Sequence, residues 1–228
     1  LWPLPVGKLL FAGRAAQNKL KSLGIYTIGD LARSDPGMLK AHMKKQGEAL
    51  WQYAWGREPD DLFGIHTENK GYGNSVTTAT DVTEEAYARQ ILLSLCETVG
   101  IRLRADHRKA GVVSVGMRTG NFENSSRQMQ LDSATDVTEE LYQAACTLLM
   151  RMWDGHRPLR LLNVTATRLT EEEYRQYSLF DRVNYEKLEK ANRAMDSIRS
   201  RFGEDAVMRA SFLKSTVSPT GGGLNREK

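Results

Sequence analysis

The side chains that could do chemistry in this chain are cations, hydroxyls and amides rather than paired acids or metal ligands. One grouping is Gly13-Arg14-Ala15 with Lys19. A glycine opening a helix lets the backbone approach a phosphate, and the first N–H groups of that helix point at it. Arg14 and Lys19 add positive charge. A plain helical hairpin accounts for the same residues equally well. A second grouping alternates along three stretches: Ser114, Gly116 and Arg118; Ser126, Gln128 and Gln130; Asn163, Thr165 and Thr167. Arg127 is expected beside Arg118 near the edge of the face they form. Short polar side chains of this kind suit phosphate and sugar contacts, which position a protein without reading bases. They equally suit a solvated sheet face. Asp60-Asp61 falls in a linker and Glu171–Glu173 in a tail, so both read as solvated charge and no catalytic residue is assigned. Cys96 and Cys146 form no Cys-x-x-Cys, and His is sparse. This argues against a disulfide framework or a zinc site and for buried free thiols in a reducing compartment. No metal ligand and no cofactor is assigned to this chain.

The elements that must position these groups centre on a duplication. Ala-Thr-Asp-Val-Thr-Glu-Glu occurs at Ala79–Glu85 and again at Ala134–Glu140. Each copy follows a stretch rich in Ser, Thr and β-branched residues and precedes apolar residues at helical spacing. Each reads as the end of a strand and the start of a helix. Asp81 or Thr83, and Asp136 or Thr138, are candidate caps, with Asp81–Glu84 and Asp136–Glu139 as capping boxes. The spacing predicts strands near Gly73–Thr80, Gly111–Thr119, Ser125–Asp132 and Pro158–Leu169. Helices are expected over about Glu84–Asp106 and Thr138–Trp153. The order is βαββαβ, a small sheet with both helices on one face and the other face free.

Before the duplication, Pro3 and Pro5 bracket a start, and Val6–Phe11 can form a short helix that Gly13 breaks. A second helix over Ala15–Leu23 stops at Gly24. Thr27 is a cap candidate, and Asp35-Pro36 opens another helix. Trp51 and Trp55, one turn apart, read as core rather than as a base-stacking pair. Beyond the last strand, Gln176-Tyr177-Ser178-Leu179-Phe180 is an apolar pair in polar surroundings. An exposed Leu-Phe at a domain edge invites a pocket on a partner, unless it packs on its own domain. Tyr185, Leu188, Ala191, Met195, Ile198 and Phe202 outline an amphipathic helix ended by Gly203. The stretch from Ser218 onward is expected to be disordered.

The totals fit this outline. The chain has 228 residues, a formal charge of +4, 40% hydrophobic and 26% charged residues, which suits one large domain or two small ones. A mild positive excess is compatible with a polyanionic partner. No apolar run reaches membrane-spanning length and no signal peptide is visible, so a cytoplasmic protein with no membrane partner is expected. From the start at Leu1-Trp2-Pro3, without an initiator Met, a fragment of something longer is expected.

Leu4–Leu20 resembles a helix-hairpin-helix module, with Phe11 at the first glycine of that module's Gly-x-Gly. The order of further motifs widens the resemblance. Leu23–Ala32, Gly47-Glu48-Ala49-Leu50-Trp51, Gly73-Asn74-Ser75-Val76-Thr77-Thr78, Met117–Phe122 and Arg157–Val164 together make the chain resemble the C-terminal half of a Y-family translesion DNA polymerase. This is the DinB/UmuC-like, ImpB/MucB/SamB group. The resemblance covers Leu1 to about Leu213. It implies an α+β chain with a thumb-like helix-hairpin-helix domain at 1–63 and a linker at 64–72. A little-finger-like DNA-binding domain follows at 73–169, then a tail at 170–228. It implies a role in DNA repair and lesion bypass, gripping primer–template DNA through its backbone. The DNA contacts implied are Gly13, Arg14, Ala15 and Lys19 in the thumb, and Asn74, Ser75, Thr77 and Thr78 on the first strand. Arg118, Thr119, Ser126, Arg127 and Gln128 complete the set. The tail pentapeptide resembles the motif that binds the bacterial sliding clamp, with Gln176, Ser178, Leu179 and Phe180 as contacts. The family's palm, with the carboxylates that hold catalytic Mg, would lie before Leu1, so this chain is expected to be inactive alone and monomeric. A non-catalytic DNA- and clamp-binding adaptor is the alternative, and a protein-interaction module a remoter one.

Overall fold

The computed structural model describes residues 1–57, 68–171, 184–213 and 215–221. The chain divides into two compact units, Leu1–Glu68 and Asn69–Lys228. Its described residues are α+β, with helices in both units and one four-stranded antiparallel sheet in the second.

In the first unit a 3-10 turn, Val6–Lys8, takes the place of the helix expected over Val6–Phe11. Three α-helices follow: α1 (Arg14–Ser22), α2 (Ile28–Arg33) and α3 (Pro36–Ala54). Gly24, at φ 79°, adopts the left-handed conformation that ends α1. Helix α2 begins with a capping box in which Thr27 and Asp30 satisfy each other's backbone N–H groups, at 3.0 and 2.9 Å. Asp35 caps α3, and Pro36 supplies a fixed φ where no N–H is needed. Lys44, at φ 55°, kinks α3. Leu20, Ile28, Leu31, Leu39 and Leu50 are fully buried and form the core. Trp51 packs half-buried against this core, whereas Trp55 is exposed. Both indole N–H groups donate to the Ala32 carbonyl, at 3.1 and 2.9 Å.

In the second unit the elements run β1 (Gly71–Val82), α4 (Glu85–Ala105), β2 (Lys109–Thr119), β3 (Asn124–Thr135), α5 (Thr138–Met150), β4 (Leu159–Thr170) and α6 (Tyr185–Phe202). The sheet order is β1-β4-β2-β3, and every neighbour is antiparallel. Strand alternation gives the sheet one apolar face. Val113, Val115 and Met117 on β2 stand opposite Ala166, Val164 and Leu162 on β4, and all are buried under α4 and α5. Cys96 and Cys146 lie in this layer as free, buried thiols, and burial pushes the Cys96 thiol well up.

The helix caps differ from expectation. Neither Asp81 nor Asp136 caps a helix: Glu84 precedes α4 and Val137 precedes α5, and neither side chain accepts a capping hydrogen bond. The duplicated phrase works instead through its valine. Val82 and Val137 are both about fully buried, pinning each strand-to-helix joint to the core.

The C-terminal segment also differs. Helix α6 spans the expected residues and ends at Gly203, but its apolar stripe is not the face it buries. Phe202 is 75% and Ile198 39% exposed, while Asn192 and Arg199 are buried. Polar groups dock the helix. Glu97, buried in α4, accepts a hydrogen bond from Arg199 at 2.8 Å and another from Arg209. Arg209 also reaches Glu139 at 2.7 Å, and Asn192 donates to Glu139 at 2.9 Å. Arg104 grips Asp196 with two N–H groups, at 2.5 and 3.1 Å. Ser218, expected to be disordered, is tied to α4, where the Ser94 hydroxyl donates to its carbonyl at 2.6 Å. Gly221 donates to Thr98 at 2.8 Å. Phe212 and Val217 are buried in the same core as the sheet.

Candidate nucleic-acid interface

The face of the sheet opposite α4 and α5 is built by the alternate residues of the same strands. Ser75 and Thr77 come from β1, Asn163, Thr165 and Thr167 from β4, Ser114, Gly116 and Arg118 from β2, and Ser126 and Gln128 from β3. The paired stretches Gly71–Thr77, Val112–Arg118, Asn124–Gln130 and Leu161–Thr167 contain no Asp or Glu. This face therefore presents hydroxyls, amides and a guanidinium without a competing carboxylate. At its centre Gly116 leaves room for Asn163, whose amide would lie 2.5 Å from a Cβ built on Gly116. The Asn163 side chain accepts from the Gly116 N–H at 3.0 Å. Arg118 is held by Asn124 at 2.8 Å. A shallow groove of about 300 Å³ runs past Ser75, Arg118, Asn124, Ser126 and Asn163. A second, of about 360 Å³, is lined by Gln128, Gln130, Thr167 and Arg168.

Ser75, Thr77, Arg118, Ser126 and Gln128 share this face as expected from alternation. Three other assigned residues do not. Arg127 pairs with Val115 and therefore stands on the helix-covered side of β3, away from Arg118. Asn74 pairs with Val164 on that same side, and its side chain accepts from the Ser75 N–H at 3.0 Å. Thr119 is 3% exposed, and its hydroxyl has no hydrogen-bond partner among the described residues. Thr78 donates to the Arg160 carbonyl at 3.1 Å, tying β1 to the start of β4. Sequence alternation missed Arg168. It has φ 53°, which breaks the two-residue period of β4, and it reaches Gln130 at 3.1 Å.

In the first unit Gly13 is the N-cap residue of α1, and no side chain caps the helix. Gly13, Arg14, Ala15 and Lys19 are all exposed. A Cβ on Gly13 would meet nothing within 4 Å, so packing does not demand a glycine there. No Asp or Glu occurs between Leu1 and Gly29, whereas Lys8, Arg14, Lys19 and Lys21 all do. Phe11 adopts φ 65°, the conformation a glycine takes without strain, and its ring rests on Tyr53 at 5.5 Å between centroids. For a residue with a Cβ this costs about 1–2 kcal/mol. The pentapeptide with Gln176, Ser178, Leu179 and Phe180 lies outside the described residues.

Among the described residues no three His, Cys, Asp or Glu side chains converge on a site that could hold a metal ion. No described helix is long and apolar enough to cross a membrane.

Residues 69–179 match the impB/mucB/samB family C-terminal domain. Over 214 residues the chain is 36% identical to a DNA polymerase IV from Clostridium acetobutylicum, covering 94% of this chain and 54% of that protein. It is 35% identical to DNA polymerase IV 2 of Halalkalibacterium halodurans, covering 95% of this chain and 53% of that one. A DNA polymerase IV from Acetivibrio thermocellus is 33% identical, with 99% and 56% covered. The chain thus spans about half the length of the curated relatives it matches.

Proposed function

The chain belongs to the Y-family DNA polymerases of the impB/mucB/samB group, whose C-terminal part it matches, and from that premise we propose that it is a DNA-gripping module. Its work is to hold primer–template duplex for a translesion polymerase acting in DNA repair. The observation that carries this reading is the acid-free open sheet face, with Arg118 and Arg168 among short hydroxyl and amide side chains. Such a surface makes phosphate and sugar contacts whatever the base sequence. The start of α1 is the second grip. We read it as the turn of a helix-hairpin-helix, supported by the N–H groups after Gly13 that no side chain caps and by Arg14 and Lys19 in the same helix. The βαββαβ unit plays the part of the little finger, and the first unit that of the thumb.

These side chains bind and orient; none is placed to make or break a bond. Nucleotidyl transfer belongs to a palm preceding these residues, where Mg held by carboxylates would supply the chemistry. Gln176-Tyr177-Ser178-Leu179-Phe180 is the segment for a bacterial sliding clamp, and tethering through it raises the local concentration of the module at DNA. A cytoplasmic monomer fits these partners.

Fluorescence anisotropy with primer–template DNA of unrelated sequences tests the reading. Affinity should be similar for all of them and fall steeply with salt, because phosphate binding releases counterions. Arg118→Ala should weaken binding on every sequence and flatten the salt slope, and Arg127→Ala should do so less. Unchanged affinity in Arg118→Ala combined with Arg168→Ala would sink the sheet-face assignment. Loss of clamp binding in Leu179→Ala with Phe180→Ala is the matching test of the pentapeptide.

A further inference from the structure

At one end of the open sheet face, the turn joining β2 to β3 holds a large aromatic ring out of the protein. Phe122 is 64% exposed and sits at φ 65°. A bulky residue in this conformation persists only where its surroundings hold it. Here they do. The Phe122 N–H donates to the Thr119 carbonyl at 2.9 Å, and the Thr119 N–H donates to Glu123 at 3.0 Å. The Gly120 N–H donates to the Pro158 carbonyl at 2.9 Å, which ties the turn to the start of β4. Arg157 pairs with Glu123 at 3.4 Å. The backbone of the turn is thus fastened on both sides, and it presents the ring to solvent.

The guanidinium of Arg160 lies over the Phe122 ring, 5.4 Å from its centroid. Among the described residues Arg160 has no carboxylate partner within salt-bridge distance. A flat apolar ring beside an uncompensated guanidinium is the pairing that holds single-stranded nucleic acid: the ring stacks on a base and the cation meets its phosphate. The ring carries no hydrogen-bonding group, so such a contact tolerates any base. Acidic groups are also near. Glu123 is neutralised by Arg157, and the Asp81 carboxylate lies 2.8 Å from a Cβ built on Gly120.

We propose that Phe122 and Arg160 form a stacking platform for one unpaired base of a DNA strand leaving the duplex. This rests on the reading of the sheet face as a duplex-binding surface. The two are separated by measuring the full chain, by anisotropy, against blunt duplex and against the same duplex with a single-stranded template overhang. Phe122→Ala should reduce affinity for the overhang DNA roughly five- to hundredfold, the range for loss of one stacked base, and leave blunt-duplex binding unchanged. Phe122→Trp should retain the overhang preference, and Arg160→Gln should lose part of it. A 2-aminopurine placed in the overhang should be quenched by the wild-type chain and not by Phe122→Ala. Unchanged overhang affinity in Phe122→Ala, or an equal loss on both DNAs, overturns the platform and leaves the duplex grip standing. Wild-type binding to neither DNA overturns both.

Discussion

The two copies of Ala-Thr-Asp-Val-Thr-Glu-Glu are identical in sequence and unlike in structure. In the first copy the β1–β4 register breaks after Thr77, β1 pairs with β4 again at Val82, and α4 starts only at Glu85. In the second, β3 ends at Thr135 and α5 starts at Thr138, two positions earlier in the phrase. The Thr135 hydroxyl accepts from the Val137 N–H at 3.0 Å and donates to Glu140, turning the chain at once. Glu85, the counterpart of Glu140, pairs instead with Arg89 one turn along its own helix, at 2.6 Å. Thr80, Asp81 and Thr83 are exposed, whereas Thr135, Asp136 and Thr138 are buried. The Asp136 carbonyl and Thr138 hydroxyl accept from Arg104, at 2.6 and 3.3 Å, and Glu139 is held by Arg209 and Asn192. The difference comes from α6 and the residues after it, which lie against the second copy. Identical local signals therefore fix what must happen, a strand giving way to a helix, and long-range partners decide where.

Removing the charge that anchors the covering segment should break the comparison hardest. Glu97→Ala leaves Arg199 and Arg209 without their shared carboxylate and should cost about 3–5 kcal/mol, as for other broken buried ion pairs. Urea unfolding of the chain measures it. Glu84→Ala, on the exposed copy, should change stability by less than about 0.5 kcal/mol. The valines should show the copies behaving alike. Val82→Ala and Val137→Ala each empty a filled site and should each cost about 2 kcal/mol. A twofold disparity between them would mean that one joint is not pinned through its valine. The threonines should separate the copies again. Thr138→Ala removes an acceptor from Arg104 and should cost about 1 kcal/mol, while Thr83→Ala should be silent.

The smallest effect is in pH. Burial pushes the Glu139 carboxyl up, but hydrogen bonds from Arg209 and Asn192, and the Arg209 charge, outweigh it and hold the carboxyl below its ordinary range. Its folded-state value is thus lower than its unfolded one, so its contribution is complete above the ordinary glutamate range. It is lost as pH falls through the depressed folded value. Thermal melts followed by circular dichroism should show Glu139→Gln flattening the acid limb of stability.

Much of the fold was legible because it follows from local periods. The alternation of Val113, Val115 and Met117 and the helical spacing of Ile91, Leu92, Leu95 and Val99 place the sheet and its first covering helix without any partner being known. The same alternation placed Arg118, Ser126 and Gln128 on the open face. It also puts Arg127 opposite them, a consequence hidden while Arg127 was judged by its charge. Arg168 escaped because a positive φ interrupts the period that would locate it. The docking of α6 escaped for a different reason. Apolar spacing pointed to Ile198 and Phe202, but the helix is held through Arg199 by a carboxylate 102 residues away in sequence. No local window contains both partners.

That separation has a consequence for how the unit comes into being. The carbonyl that accepts the Ser94 hydroxyl belongs to Ser218, 124 residues later. At a synthesis rate of about 5–20 residues per second, β4 is made seconds before Phe212, Val217 and Ser218 exist to complete the layer over α4. During that interval Glu97 waits without Arg199 or Arg209. A nascent chain halted there would own a finished sheet and an unfinished roof over α4.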